Sequence, residues 1–439
     1  MNKFLFLLAT ITLCGCHLRT SYQAPLVELP TDWNKYSVNN KNEKEDGRQW
    51  WSKFNDEILD NLIKESQEAN ADILIAMVNV SRAQAQLTIN KAHKLPQIEL
   101  QGTAKQSRIN ETHKTTNNFS IAAILNYELD LWGAVASANE AARASLLAAN
   151  YNKDAIKLTI ASNTTIAYFN ILALDEELSI TKELVALQEE IYEFNKKLFH
   201  SGVADLITLN KAKLELSTMQ SELPPIEQSL IEQEKALEIL LGRTAQEIVN
   251  GKLQRAKLTN GLPLVITVPK ILPSKLLERR PDIRAAEQNL IAGNAELEVV
   301  RAAYFPVISL TGLFGVNSIK LNKLFNSSSV NSSFGANATG SIIDFGQAKA
   351  NVKIAEATKK QLLIQYQQTL RVAFQEVVNY LSAEQNSADN FKFFQKNEQA
   401  LEEVMNSTLH RYNRGMGTYL DVLNAKQLLL RTKINLFRV

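Results

Sequence analysis

The 439-residue chain has little net charge, few glycines and prolines, and no long apolar run. Its 48 Lys and Arg residues nearly balance 46 Asp and Glu residues, so it lacks the basic field that nucleic-acid binding requires. No stretch approaches ~18 consecutive apolar residues, which excludes transmembrane helices but not transmembrane strands. Only 16 Gly and 10 Pro in this length indicate long helices rather than many short turns.

Cysteine occurs only twice, at Cys14 and Cys16, within an N-terminal targeting segment. Lys3 precedes an apolar run, residues 4–13, that is too short to span a bilayer. The following Leu-Cys-Gly-Cys resembles a bacterial lipobox, in which cleavage leaves the last cysteine as an acylated N-terminus. The pattern predicts a signal peptide at residues 1–15 and lipidation at Cys16. An ordinary secretory signal with incidental cysteines is the alternative.

Catalytic and metal-binding patterns are absent from the sequence. With Cys14 removed and Cys16 acylated, no thiol is left for a disulfide, a zinc site or a nucleophile. The five histidines include no His-x-x-x-His pair, and the chain has no Walker-type glycine loop and no Gly-x-Ser-x-Gly elbow. The sequence therefore predicts no catalytic residue, no metal site and no cofactor, and the protein is expected not to be an enzyme.

The chain contains an internal repeat. Residues 95–102 (LPQIELQG) match residues 305–312 (FPVISLTG) at an offset of 210 (305 − 95). Residues 202–213 match residues 415–426 at an offset of 213 (415 − 202), so about three residues were gained between the two marks. A period of this length indicates a duplicated domain rather than a solenoid.

Each half contains two segments in which apolar residues alternate with small or polar ones. They predict strands at about 97–107 and 118–129 in the first half and at about 306–316 and 333–343 in the second. Polar stretches between the strands of each pair, 108–118 and 326–333, are expected to be exposed loops. Strands of this length suit a membrane β-barrel, but four cannot close one. Either they form a soluble sheet, or several chains share one barrel.

Long helices follow each pair of strands. From about Gly133 to Lys197 no further Pro or Gly interrupts the chain, which predicts a helix of roughly 100 Å. Apolar residues step by three and four along it and along the helix that returns after Gly202, the spacing of a coiled-coil seam. Pro224-Pro225 is expected to divide that returning helix. After Gly415 the seam is predicted at Val422, Ala425, Leu429, Thr432 and Leu436.

Four longer stretches carry a family resemblance. They are WWSKFNDEILDNL (residues 50–62), YELDLWG (127–133), LLERRPDIRAAE (276–287) and YNRGMGTYLDVLNA (412–425). In this order they resemble the outer-membrane efflux factors, the TolC-like family, in the lipoprotein branch found with drug and metal exporters. The resemblance covers nearly the whole mature chain.

The resemblance implies a homotrimer in which each chain gives four strands to one 12-stranded outer-membrane β-barrel, continuous with an α-helical tunnel through the periplasm. The predicted fold class is mainly α with membrane β. The expected partners are a periplasmic adaptor (membrane fusion protein), an inner-membrane pump and outer-membrane lipid, with no nucleic acid. The two helix turns are expected to be the far tips of the tunnel, where the adaptor docks: Gly202, Val203, Ala204, Gly415, Met416 and Gly417.

The resemblance also supplies candidates for a periplasmic gate. In this family Leu-Asp-x-Leu-Asp-Ala lines the closed tip, and three copies form an acidic ring. Here Asp421 keeps the first aspartate and Asn424 replaces the second, so three carboxylates are expected rather than six. Tyr412 matches a tyrosine that in some members helps hold the tip closed, although Gly417 and Thr208 stand where its Arg and Asp partners would be.

A ring of like charges would raise the pKa of Asp421. The alternative is that Asp421 is a solvated carboxylate at the start of a helix.

The domain plan that follows has five parts. They are a signal peptide (1–15), an extended segment behind Cys16 (16–49), a first repeat with its tip near 202 (50–250), a linker (251–272) and a second repeat with its tip near 415 (273–439).

The function expected is the outer-membrane exit channel of a tripartite efflux system that exports drugs or other small toxic compounds. A type I protein secretion or metal efflux component is the alternative within this class. A structural coiled-coil envelope lipoprotein is the alternative from another class.

Overall fold

The computed structural model describes residues 22–25, 47–109, 114–256 and 279–437, so Cys16 and the predicted signal peptide lie outside it. The described residues fall into two compact units. The first consists of residues 22–25, 76–109, 114–154 and 279–372 and contains the β-sheet. The second consists of residues 47–75, 155–256 and 373–437 and contains the two helix turns near residues 202 and 415.

The element order is the predicted one, twice over. A 3-10 helix, Gly47–Phe54, comes first, so the end of the predicted extended segment is already helical. The first repeat consists of α1 (Glu57–Ala69), α2 (Ala71–Ala92), β1 (Gln97–Ile109), β2 (Lys114–Leu129), α3 (Ala134–His200), α4 (Leu206–Ser221), α5 (Leu223–Leu240) and α6 (Ala245–Asn250). The second consists of α7 (Pro281–Ala302), β3 (Val307–Ser318), β4 (Val330–Thr339), α8 (Gln347–Asn413) and α9 (Tyr419–Phe437).

The duplication is visible in element lengths and strand register. Helices α3 and α8 both have 67 residues, and α8 begins 213 positions after α3 (347 − 134). Gln97 pairs with Asn126 in the first repeat, and Val307 pairs with Thr339 in the second, which gives offsets of 210 (307 − 97) and 213 (339 − 126). The gain of three residues therefore lies between β3 and β4.

The four strands form one antiparallel sheet in the order β1-β2-β3-β4. The β1–β2 ladder runs on to the pair Ile109↔Lys114, so the predicted loop at 108–118 is too long. Polar side chains continue this end of the ladder, and the Gln106 Nε2 amide donates to Asn117 Oδ1 at 2.9 Å. Alternation of hydropathy disappears where both faces of a hairpin are polar, but backbone pairing does not need it.

Strand β4 ends earlier than predicted. It covers Val330–Thr339 rather than 333–343, and it starts inside the predicted loop at 326–333. Thr339 pairs with Val307, and the next residue of the partner strand is Pro306, which has no backbone N–H to donate. The ladder between β3 and β4 therefore stops at this pair, although the alternating sequence continues.

The second unit has two apolar clusters. The first, which we call the central core, joins α1, α3 and α5 through fully buried residues that include Leu59, Ile63, Tyr168, Ile171 and Leu237. The second, which we call the tip cluster, joins α3, α4 and α9 and consists of Ile180, Leu184, Leu187, Ile191, Met219, Leu423, Leu430 and Ile434.

The predicted seams are found in α3 and α4, and the returning helix is divided beside Pro224. In α9 Val422 is buried as predicted, but the other buried residues are Leu423, Leu430 and Ile434. The seam predicted through Ala425, Leu429, Thr432 and Leu436 therefore has a different phase. Among the described helices, none has a segment long and apolar enough to cross a membrane.

Candidate gate and docking tips

The first tip connects α3 to α4 through a turn fixed by backbone hydrogen bonds. Gly202 has a φ of +74°, the left-handed conformation that closes many helices. The Gly202 N–H donates to the Phe199 carbonyl at 3.0 Å, and the Val203 N–H donates to the Leu198 carbonyl at 2.9 Å. This pair of bonds is a Schellman motif, which satisfies carbonyls that the helix end would otherwise leave free.

The second tip repeats the motif between α8 and α9. Gly415 has a φ of +72°. Its N–H donates to the Tyr412 carbonyl at 2.8 Å, and the Met416 N–H donates to the Arg411 carbonyl at 2.9 Å. Both turns therefore lie where the sequence predicts them and share one geometry.

Both tips carry exposed apolar side chains. Of the residues predicted to contact the adaptor, Val203 and Met416 are exposed, whereas Ala204 and Gly417 are half-buried. Leu206 and Ile207, at the start of α4, add two exposed aliphatic side chains that the sequence reasoning missed. The sequence did contain a signal for them, because both follow Asp205, the N-cap residue of α4. The first turn of a helix that starts next to a tight turn has few neighbours that could cover its side chains.

Asp421 caps the helix on which it lies. Its Oδ2 accepts hydrogen bonds from the Thr418 backbone N–H at 2.9 Å and the Thr418 hydroxyl at 2.8 Å, while the Asp421 N–H donates to Thr418 Oγ1 at 3.2 Å. These bonds form a capping box at the start of α9. In the chain as described, Asp421 is thus the helix-end carboxylate that the sequence left open as an alternative.

The same hydrogen bonds set the titration of Asp421. The pKa of the Asp421 carboxyl is lowered, most of all by the hydrogen bond from the Thr418 backbone N–H and next by the bond from the Thr418 hydroxyl. The charge of Arg411 lowers it further. The cap therefore contributes to the stability of the folded chain above the ordinary pKa of a carboxyl group. This contribution is lost as the pH falls through the lowered pKa of Asp421. Three Asp421 carboxylates brought together would oppose this shift. Asn424 is exposed on the same helix.

Tyr412 contacts a second tyrosine rather than a charged partner. Its ring centroid lies 5.4 Å from that of Tyr419, and the Tyr419 hydroxyl donates to Glu190 Oε1 on α3 at 2.6 Å. Lys426 of α9 also pairs with Glu183 of α3 at 2.8 Å. These bonds between α9 and α3 join residues more than 200 positions apart, and no local pattern signals them.

Thr208, the other position compared with the family latch, belongs to the first tip. Its backbone N–H donates to Asp205 Oδ1 at 2.8 Å, which caps α4. Within the described residues, no group of three or more His, Cys, Asp or Glu side chains is placed to hold a metal ion.

Comparison with known proteins places these features in a family. The outer membrane efflux protein family matches residues 62–243 and 272–439, which is most of the chain. The chain belongs to the outer membrane efflux protein family. Its relatives include the cation efflux system protein CusC of Escherichia coli K12, 30% identical over 98% of this chain and 94% of that protein. The antibiotic efflux pump outer membrane protein ArpC of Pseudomonas putida is 27% identical over 97% and 90%.

The fold of this efflux protein is shared with solved channels. The Campylobacter jejuni CmeC outer membrane channel superposes with a TM-score of 0.85 at 26% identity, over 96% of this chain and 91% of that one. The resemblance read from the sequence and the predicted fold class are confirmed, as is the function of an outer-membrane efflux channel. The protein is located in the Gram-negative outer membrane, and its family is one of channel and transport proteins.

Proposed function

We propose that this efflux protein is the trimeric exit duct of a tripartite system and opens when a periplasmic adaptor and an inner-membrane pump dock. The observation that carries the proposal is the sheet: among the described strands, β1 pairs only with β2, and β4 pairs only with β3. Strands of 10 to 16 residues are long enough to cross the hydrocarbon layer, where an unpaired edge is prohibitively costly. Three chains with four strands each would give a closed 12-stranded β-barrel.

The exposed apolar residues of the tips support docking of the adaptor there. Val203, Leu206 and Ile207 on the first tip and Met416 on the second present aliphatic surface beside rigid turns. Such surface on a soluble part of a protein is typical of an interaction site. The adaptor is therefore expected to bind residues 202–204 and 415–417.

The exported compounds are proposed to be drugs or other small toxic molecules, with metal ions as the second candidate. ArpC and CusC, relatives of nearly equal identity, are named for antibiotics and for cations respectively. The test is a deletion strain complemented with this gene and challenged with antibiotics and with a panel of metal salts. Restored growth on antibiotics alone would support the first candidate, and restored growth on metal salts alone would support the second.

Cleavage before Cys16 and acylation of that residue are part of the proposal, because an acylated N-terminus would hold the chain at the outer membrane. The proposed domain plan is the one predicted from the sequence, with repeats at 50–250 and 273–439. Native mass spectrometry of protein extracted in mild detergent tests trimer and anchor together. We expect a trimer whose chains begin at acylated Cys16, and a monomer would contradict the shared barrel.

The proposed acidic ring at the closed tip rests on Asp421, and two substitutions separate its charge from its capping role. Asp421→Asn removes the charge but keeps an oxygen that accepts from Thr418, whereas Asp421→Ala removes both. If three carboxylates line the narrow tip, we expect both variants to raise the leak through the closed channel, measured as single-channel conductance in a planar bilayer and as antibiotic sensitivity of cells.

A matched control lies in α6, whose capping box joins Thr244 and Glu247 through the same pattern of bonds. Glu247→Ala breaks that box and leaves the tip charges in place, so its conductance should equal that of the parent. A leak in Asp421→Ala without one in Asp421→Asn would assign Asp421 to helix capping alone. Unchanged conductance and sensitivity in both would remove it from the gate.

A further inference from the structure

A groove lies beside the sheet, among the helices that lead into and out of it. It is bounded by α2, α3 and α7 of the first unit and has a volume of about 500 Å³. Lys91 is in the last turn of α2, and Lys94 lies three residues before β1 (97 − 94). Arg143 lies less than three turns into α3, which starts five residues after β2 ends (134 − 129). We call this groove, with its polar residues Lys91, Lys94, Asn139, Glu140 and Arg143, the basic groove.

The charges of the basic groove do not balance. Three cations, Lys91, Lys94 and Arg143, line it together with one carboxylate, that of Glu140, which leaves a net charge of +2 (3 − 1). Cations that line one groove repel one another, so the groove favours a ligand that carries negative charge.

The second repeat neutralises the equivalent positions. The offset of 210 places Arg301 at the position of Lys91, and the offset of 213 places Glu356 at the position of Arg143. Arg301 Nη2 lies 3.2 Å from Glu356 Oε1, so side chains at these two positions reach one another. In the first repeat the same two positions carry cations. A phosphate between Lys91 and Arg143 would therefore take the place that the carboxylate has in the second repeat.

A buried amide completes the basic groove. Asn139 is 8% exposed, and its Nδ2 donates to the Asn90 carbonyl at 2.8 Å and to the Val135 carbonyl at 2.9 Å. Because both partners are acceptors, these bonds fix which end of the amide is the oxygen. Among the described residues, no donor reaches the buried Asn139 Oδ1. The equivalent residue of the second repeat, Val352 (139 + 213), is apolar. The basic groove thus offers a buried acceptor close to its cations.

The basic groove and the polar face of the sheet lie on different sides of α3. A second groove, lined on α3 by Val135 and Ala138, continues onto polar residues of the sheet, among them Gln97, Asn126 and Glu128. At 100° per residue, the α3 residues of the two grooves point in directions roughly 160° apart. In a membrane barrel the polar strand face lines the interior and the apolar face contacts lipid. The basic groove is therefore on the side of the lipid.

We propose that the basic groove binds the headgroup of an anionic phospholipid of the outer membrane. The phosphate lies among the three cations, and a headgroup hydroxyl donates to Asn139 Oδ1. The proposal goes beyond the efflux function, and its choice of the lipid side rests on the barrel proposed above. The groove lies where helices meet membrane strands, at the border of the hydrocarbon layer that headgroups occupy.

Phosphatidylglycerol has both features that the basic groove requires, one net negative charge and headgroup hydroxyls. The ammonium of phosphatidylethanolamine cancels the charge of its phosphate, so this lipid cannot offset the net charge of the groove. We therefore expect the groove to prefer phosphatidylglycerol, with one lipid bound per chain.

Native mass spectrometry in mild detergent, with dioleoyl phosphatidylglycerol and dioleoyl phosphatidylethanolamine as probes, tests this preference. Lys91→Gln and Arg143→Gln should each weaken binding of phosphatidylglycerol about fivefold, the effect of one cation near a headgroup surface. Arg82→Gln is the matched control. It removes an exposed cation of the same helix, nine residues before Lys91 and roughly 180° around α2, and should bind like the parent. Equal binding by Arg82→Gln and Lys91→Gln would overturn the proposed site.

The role of Asn139 is tested by changing the lipid, because its amide also joins α3 to α2. Dioleoyl phosphatidylmethanol carries the same single negative charge as phosphatidylglycerol but has no headgroup hydroxyl. We expect it to bind about fivefold more weakly, the effect of one hydrogen bond. Equal binding of the two lipids would overturn the hydrogen bond to Asn139 Oδ1.

Inorganic phosphate distinguishes a lipid site from a site for free anions. In large excess over lipid it should leave phosphatidylglycerol bound, and displacement would overturn the lipid assignment in favour of a free anion. The same spectra report the number of chains. A trimer without a preference for phosphatidylglycerol would overturn the lipid site and leave the duct intact, whereas a monomer that keeps the preference would support the lipid site and contradict the duct.

Discussion

Replacing Gly242 by alanine is expected to destabilise the second unit by about 3 kcal/mol or more, the larger of two effects that we expect in its core. Gly242 follows α5 with a φ of +73° and ends it with a Schellman motif. An alanine Cβ here would lie 2.2 Å from the Ala69 carbonyl oxygen, at the end of α1. Because backbone atoms of Ala69 cannot yield as a flexible side chain can, α1 and α5 would have to separate.

Separation of these helices would disturb bonds that hold them together. The Asn70 Nδ2 amide donates to the Leu240 carbonyl at 2.9 Å, and Arg243 pairs with Glu65 at 2.9 Å. The buried Glu238 lies 3.7 Å from the same guanidinium. Hydrogen exchange in detergent should therefore show loss of protection in α1 and α5, together with a lower Tm.

Gly202→Ala is the matched control for this substitution. Gly202 has nearly the same φ, +74°, but a Cβ there meets nothing within 4 Å. Its cost should be the left-handed backbone alone, about 1 kcal/mol, with increased exchange confined to the tip. If both variants lose the same stability, the close approach of Gly242 to Ala69 has no energetic role.

Asp56→Ala is expected to cost about 2–4 kcal/mol, because one carboxylate holds both a helix start and a buried hydroxyl. Its Oδ1 accepts from the N–H groups of Ile58 and Leu59 at 2.9 and 3.1 Å and so caps α1. Its Oδ2 accepts from the Tyr168 hydroxyl at 2.7 Å, and the Tyr168 side chain is fully buried in the central core. Burial has the largest effect on the pKa of Tyr168 and raises it, and the hydrogen bond to Asp56 raises it further.

A double-mutant cycle separates the two roles of Asp56. In Asp56→Ala the buried Tyr168 hydroxyl loses the carboxylate that accepts its proton, so adding Tyr168→Phe should recover part of the lost stability. Asp205→Ala, which removes the cap of α4 but no buried partner, should cost about 1 kcal/mol. The Tm or the denaturant midpoint of unfolding is measured for the parent, the two single mutants and the double mutant of the cycle, and for Asp205→Ala. A double mutant less stable than Asp56→Ala would show that the Tyr168 hydroxyl finds another acceptor for its proton.

The sequence alone determined the plan of the chain. The repeat offsets of 210 and 213 recur in the strand register and in the two 67-residue helices, because duplicated residues meet similar neighbours in each half. The two helix turns were found because Gly202 and Gly415 interrupt helical sequence where a left-handed residue is needed. The family followed from long motifs in a fixed order.

Tertiary structure decided the contacts between distant segments. The end of β4 depends on Pro306 in its partner strand, and the phase of the α9 seam depends on packing against α3 and α4, because adjacent leucines such as Leu429 and Leu430 suit either phase. The bonds from Tyr419 to Glu190 and from Tyr168 to Asp56 join residues 229 and 112 positions apart. Periodicity records which face of an element is apolar, but it carries no information about which distant side chain that face will meet.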